Sequence, residues 1–310
     1  LSSFKFPILK KPIDSLSGRG INKIMSVAEL NLLDDTDTDI YEEFVTGQLF
    51  SHSAFIKNGE IIIDFFVEEH CTIYPYQVNT SCVTQNLNEG IKKNMRNWLE
   101  SYAKLAHLND GLIHTQFISD NLNYWLIETS RRCPGDLYSL LIKKSCDIDY
   151  AELFAMPYCE LNYPVDSINI SSNPIIRHTV SSTEDTNLFE ISIDTPNAGL
   201  DYIPIKKSGQ LIKKAPFDRS GIAFLKYKSW HNAHFGLICS NNSRTVRSDQ
   251  ANTALGHVGL GLHHVGHVPV HLQELVDLLD QVDGQADGAS LIGHPAGDGL
   301  ADPPGGVSGE

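Results

Sequence analysis

The dipeptide Asn58-Gly59 lies between two runs of strand-forming residues, Phe50–Lys57 and Glu60–Val67, and limits the fold more than any other feature of the chain. Asn and Gly tolerate the positive φ angles of a two-residue hairpin turn, so the flanking runs are predicted to double back as antiparallel partners. Phe6–Pro12 reads as a strand stopped by proline, Ile21–Met25 as a short apolar run beyond a small-residue loop, and Ile40–Val45 as a further strand. Leu112–Ile118 and Tyr124–Ile127, separated by Ser119-Asp120-Asn121, read as a second antiparallel pair. One long segment has the helical period: within Gly90–His107, residues Ile91, Met95, Trp98, Leu99, Tyr102 and Leu105 fall on one face. Together these elements predict an α+β fold of antiparallel sheets with flanking helices.

The chain has 310 residues, enough for two compact units of roughly 100 to 200 residues each. Its composition changes abruptly near residue 245, and from Ala251 to Glu310 there is no Lys, Arg, Phe, Tyr, Trp, Cys or Met. Few bulky groups remain to build a core, which predicts a low-complexity, disordered or foreign tail over 246–310, with one short amphipathic helix at Val270–Val282. In the tail His263 and His267 stand four apart, but Gly259, Gly261 and Gly266 weaken a helix there and no carboxylate or cysteine joins them, so no metal site is assigned. The expected organisation is 1–150 as a ligand-binding region, 151–245 as a β-rich continuation and 246–310 as the tail.

A net charge of −14 without a basic stripe argues against nucleic acid as the main partner. No apolar run approaches the roughly 20 residues that span a bilayer, and no basic-then-apolar leader opens the chain, so a cytoplasmic protein without membrane contact is expected. The six cysteines (Cys71, Cys82, Cys133, Cys146, Cys159 and Cys239) are dispersed and read as free thiols.

Two groups of residues could carry chemistry. The loop Ser15–Gly20 offers hydroxyls, glycines and backbone N–H groups between apolar strands, which suits close approach to phosphate oxygens; such loops are more often plain turns. The predicted Leu112–Ile127 hairpin would set Gln116 beside Glu128 and Ser130 as hard oxygen ligands of the kind magnesium takes, with Arg132 nearby to stabilise phosphoryl charge. Read singly, Glu128 and Arg132 fit an ordinary surface ion pair better.

The order of the motifs adds to this. A strand with Lys before Pro, a small-residue loop, Glu42-Glu43-Phe44-Val45-x-Gly47, a hairpin, a long helix, then His114-Thr115-x-Phe117 and Ile127-Glu128-x-x-Arg131-x-x-x-Gly135-Asp136 together resemble the ATP-grasp superfamily, in its carboxylate–amine ligase and biotin-carboxylase-like branch. The resemblance covers about residues 4–150 and implies an ATP-dependent ligase that activates a carboxylate as an acyl phosphate for attack by an amine or other nucleophile, with Mg2+ or Mn2+ as cofactor. It implies that Lys11 contacts ATP, that Ser15, Ser17, Gly18 and Gly20 form the phosphate lid, and that Glu42 and the backbone of Glu43 and Val45 hold adenine. It further implies that Gln116, Glu128 and Ser130 bind metal, and that Arg132 and Lys11 steady the transferring phosphoryl group. Gln116 stands where many members have Glu, Ser130 where Asn is usual, Leu49 where a Glu commonly holds the ribose, and Arg131 where a proline is usual. A non-catalytic nucleotide-binding module is the alternative that these departures motivate. The resemblance also implies a domain ahead of Leu1, without which the chain alone is expected to be inactive.

Overall fold

The computed structural model describes residues 5–33, 39–164, 172–191, 193, 198–233 and 246–247. The helix expected at 270–282, the tail beyond Arg247, Cys239 and the start of the chain lie outside them. Three short strands, β1 (Ile8–Pro12), β2 (Asn22–Ile24) and β3 (Asp39–Glu43), form a small antiparallel sheet with β1 in the middle. Between β2 and β3, one helical turn, α1 (Val27–Leu30), starts at Ser26, whose side chain accepts from the Glu29 N–H.

Beyond the linker 44–47 the expected hairpin forms. β4 (Gln48–Lys57) and β5 (Glu60–His70) turn back through Asn58 and Gly59, whose φ angles are 53° and 75°. β6 (Thr80–Val83) follows, then α2 (Glu89–Leu105), β7 (Gly111–Ser119) and β8 (Tyr124–Ser130). Two further helices, α3 (Tyr138–Cys146) and α4 (Tyr150–Ala155), precede β9 (Ile175–Val180), and β10 (Thr186–Asn187), β11 (Glu190–Ile191), β12 (Gly199–Pro204), β13 (Leu211–Ile212), β14 (Gly221–Lys226) and β15 (Val246–Arg247) complete the described elements. Eight of these strands form one antiparallel sheet in the order β12-β14-β9-β6-β5-β4-β7-β8, while β10 pairs with β13 and β11 with β15.

Register decides which side chains share a face, because residues opposite one another point to the same side. Leu49, Ser51 and Ser53 of β4 stand opposite Glu69, Val67 and Phe65 of β5 and opposite Ile118, Gln116 and His114 of β7. The pairs Gln116–Glu128 and His114–Ser130 extend that face across β8. Its apolar end packs against α3 and α4 through Phe55, Phe65, Val67, Leu112, Tyr138, Leu141 and Tyr150, and its polar end carries Glu69, Gln116 and Glu128.

The other face belongs to α2. Asn88 caps this helix by accepting from Gly90 N–H at 2.7 Å, and Ile91, Met95, Leu99 and Ala103 are buried against Phe50, Phe66, Ala54, Ile113 and Phe117. The buried stripe differs from the expected one at its end: Tyr102 is 40% and Leu105 82% exposed. The 3.6-residue repeat carries the face from Leu99 to Ala103, leaving Tyr102 at its edge, stacked on Trp98 with ring centroids 5.5 Å apart.

Candidate functional site

Lys11 and Glu42 meet across β1 and β3 as an ion pair. In register Leu9 faces Glu42 and Lys11 faces Ile40, so the pair is diagonal on one side of the small sheet. The following segment is tied back to β1 by the Phe44 N–H donating to Pro7 O at 3.0 Å. The Lys23 ammonium lies 3.5 Å from the Phe44 ring centroid. Lys11, Glu42, Glu43 and Val45 are thus brought together on β1, β3 and the linker that leads into β4.

The loop 14–20 is a tight, largely exposed turn. Ser15 Oγ donates to Arg19 O at 2.8 Å, and Ser17, Gly18 and Gly20 all have positive φ. The glycine at 18 has a steric reason: an added Cβ would lie 2.4 Å from the carbonyl oxygen of Tyr76. Arg19 reaches the opposite bank, donating to Pro216 O at 3.3 Å and lying over the Phe217 ring, and Gln77 Nε2 donates to the same carbonyl. Gly18→Ala is therefore expected to undock the loop without unfolding the sheets. Hydrogen exchange over 14–20 should rise in this variant and stay unchanged in Gly199→Ala, whose added methyl meets only ordinary contacts.

On the large sheet, Gln116 and Glu128 are direct cross-strand partners and Ser130 stands two residues further along the same side of β8. Glu128 is exposed and Gln116 half-buried. Ser130 Oγ is buried and finds no hydrogen-bond partner among the described residues. An orphaned hydroxyl beside an amide and a carboxylate fits a cation or its bound water, since all three are hard oxygen donors. No group of three or more His, Cys, Asp or Glu that could hold a metal occurs among the described residues. A magnesium ion that keeps waters and phosphate oxygens takes only one or two protein carboxylates, and a set with a single carboxylate falls within that range.

The two adjacent arginines differ in use. Arg131 donates to Asn109 O at 2.7 Å and Asp110 O at 2.9 Å, pinning the turn before β7. Arg132 is exposed and, among the described residues, its side chain reaches only the carbonyl of Cys133, at 3.3 Å, so most of its donors are uncommitted there. The charge of Arg132, after burial and beside His52, helps hold His114 down at about 3, so this imidazole is neutral. His52, between Ser51 and Ser53 on β4, points to the opposite face. There it is fully buried, stacked on Phe66 at 4.1 Å and hydrogen-bonded to Asp64 at 2.8 Å.

Three residues at the site, Glu69, Arg177 and Arg219, escaped the motifs. Glu69 is only 4% exposed and accepts from Gln116 Nε2 at 2.6 Å. Arg177, buried on β9, donates to Ser81 Oγ and to the carbonyl of Asp136. Asp136 also accepts an ion pair from Arg219 at 2.9 Å, which anchors the Gly135-Asp136 turn to the second half of the chain. Glu69 was detectable: Phe65, Val67 and Glu69 alternate on β5, so a carboxylate continues the buried side.

No protein-family model and no curated protein sequence matches the chain. Its architecture does match solved structures. L-amino acid ligase from Bacillus licheniformis superposes with a TM-score of 0.64 at 13% identity, over 81% of this chain and 65% of that one. Phosphoribosylglycinamide synthetase from Anaerococcus prevotii gives 0.59 at 17% identity, over 80% and 66%. The biotin carboxylase domain of 2-oxoglutarate carboxylase from Hydrogenobacter thermophilus, in complex with MgADP and bicarbonate, gives 0.60 at 14% identity, over 79% and 58%. The chain has the ATP-grasp fold. It spans about three fifths to two thirds of the length of these proteins. Within the ATP-grasp fold observed here, the small sheet β1–β3 with its loop 14–20 and the linker 44–47, and the polar end of the eight-stranded sheet with Arg132 just after β8, carry the candidate nucleotide and metal residues named from the sequence. No helix among the described residues is long and apolar enough to cross a membrane.

Proposed function

We propose that the chain is the nucleotide- and metal-binding part of an ATP- and magnesium-dependent ligase. In this reading the γ-phosphoryl group passes from ATP to a carboxylate oxygen of a small acid, releasing ADP, and an amine or other nucleophile then attacks the carbonyl carbon and displaces phosphate. The observation that carries it is the gathering of Gln116, Glu128 and the orphaned Ser130 hydroxyl on one side of β7 and β8, beside an Arg132 whose donors are largely uncommitted. The complex of the Hydrogenobacter domain with MgADP and bicarbonate is consistent with a nucleotide and a small acid sharing such a site.

Gln116, Glu128 and Ser130 would hold magnesium, which when bound neutralises phosphate charge. Lys11 would leave Glu42 for ATP, and Glu42, Glu43 and Val45 would border adenine. The loop of Ser15, Ser17, Gly18 and Gly20 would present N–H groups to the phosphates. Arg132 would stabilise charge on the transferring group, where positioning and electrostatics supply most of the rate. We place the protein in a reducing cytoplasm, in keeping with the free thiols of all five described cysteines, and the region after about residue 245 outside the catalytic unit.

Phosphate release from ATP, measured in the full-length protein across amino acids and other carboxylates, tests the reading. Carboxylate-dependent release is expected, and Arg132→Ala should lower kcat about 100-fold or more, the loss typical of one charge-stabilising donor. Arg131→Ala should instead lower stability, because its contacts are with backbone carbonyls. Binding of Mg·ATP without turnover on any carboxylate would favour a non-catalytic nucleotide-binding module, which the apolar Leu49 on the site face also suits. Failure to bind nucleotide would defeat both.

A further inference from the structure

Glu69 is a buried carboxylate in an unusual position. It lies on the same side of the sheet as Gln116 and Glu128, is 4% exposed, and has no Lys, Arg or His within ion-pair distance among the described residues. Arg177, two strands away through Ser81, acts on it only at longer range. Burial pushes the Glu69 carboxyl up, the nearby Glu128 charge adds to that, and bonds from Ser51 and Gln116 with the Arg177 charge only partly offset them.

Its contact with Gln116 has a second consequence. Gln116 donates its Nε2 to a carboxyl oxygen of Glu69 at 2.6 Å. The amide oxygen is thereby directed away from Glu69 and accepts from no described residue. A neutral amide and a hydroxyl bring no charge to a divalent cation, and Glu128 brings one.

We propose that Glu69 is a positioning residue for the metal: reaching from β5 past β4, it locks the Gln116 amide with Oε1 free to ligate and places a second carboxyl group behind the ligand set. This rests on the metal site proposed above. It makes Glu69 and Gln116 a single functional unit, with the carboxylate behind the amide.

The test is Mn2+ binding to the 310-residue chain, followed by electron paramagnetic resonance with and without ADP, with ADP binding measured separately by calorimetry. Glu69→Gln should weaken Mn2+ binding about 10- to 100-fold, the usual cost of losing a residue that orients a metal ligand. It should not lower the melting temperature of the metal-free chain, because Gln keeps the side chain's shape and can still hydrogen-bond Gln116, now in either amide orientation. Gln116→Glu alone sets two carboxylates at hydrogen-bond distance and should lower the melting temperature. The exchanged variant, Glu69→Gln with Gln116→Glu, keeps both the carboxyl group and the hydrogen bond and should recover most of the Mn2+ affinity. A purely structural Glu69 predicts neither the loss nor the recovery. The proposal is overturned by unchanged Mn2+ affinity in Glu69→Gln, by an exchanged variant no better than the single one, or by absence of Mn2+ binding to the native chain. ADP binding with Mn2+ affinity indifferent to Glu69 would sink this inference and leave the ligase reading standing. Mn2+ binding that follows Glu69 without any affinity for ADP would do the reverse.

Discussion

Glu128→Gln is expected to weaken magnesium binding about 100-fold in the full-length protein and to reduce ATP consumption accordingly at limiting metal, an effect at least as large as loss of an outer-shell partner. The substitution preserves length, shape and the β7–β8 pairing, and removes only the charge. Glu128 is the one carboxylate of the proposed ligand set and is exposed on the strand, so its loss should not disturb the core. The fitting control is Asp120→Asn on the neighbouring turn. That carboxylate accepts from the N–H groups of Leu122 and Asn123 at 2.9 and 2.6 Å, bonds that hold it below the ordinary aspartate value, and it belongs to the β7–β8 connection. Raising magnesium should rescue Glu128→Gln and leave Asp120→Asn indifferent. Equal and small effects from both substitutions would remove Glu128 from the metal site.

The contrast between these two acids shows what was legible in the sequence. Hairpins announce themselves through turn chemistry, so Asn58-Gly59 and the polar Ser119–Asn121 break located β4, β5, β7 and β8 and hence the Gln116–Glu128 pairing. α2 announced itself by period. α3 did not: its first-turn neighbour Leu137 is left-handed at φ 56° and gives no side-chain cap, so nothing marks its start. β6 and β9 were hidden for a different reason. All four residues of Thr80–Val83 and all six of Ile175–Val180 are buried, and a strand covered on both faces loses the alternation by which strands are recognised. With β9 unseen, Arg177 and its hold on Asp136 could not be anticipated.

Alternation also separates site from scaffold on a single strand, and Asp64→Asn tests that separation with a large effect on stability. Ser51 and Ser53 face the site, whereas His52 between them faces α2. Asp64 there receives Arg96 through Nε at 2.6 Å and through the second guanidinium nitrogen at 3.2 Å, with His52 at 2.8 Å. Burial by itself would raise the Asp64 carboxyl, but the bonds and charges of His52 and Arg96 outweigh it and hold the group below its ordinary 3.8. Asn keeps the volume and loses the charge, leaving Arg96 unpaired and His52 without an anionic partner. The expected cost is about 3 kcal/mol, at the low end for breaking a buried pair because Arg96 is partly exposed. For a unit of this size that is a fall in melting temperature of roughly 6–12 °C. The sign with pH follows from the depressed value: the carboxylate contributes fully above 3.8 and its contribution disappears as pH falls through the lower folded value. Urea unfolding should therefore show a constant difference between wild type and Asp64→Asn from pH 7 to about pH 5 and a shrinking one toward pH 3. A difference that vanished already by pH 5 would show that the carboxylate is not held down by its partners. Nucleotide and Mn2+ binding of the folded variant should match wild type, because every group that Asp64 touches lies on the side of the sheet away from Gln116 and Glu128.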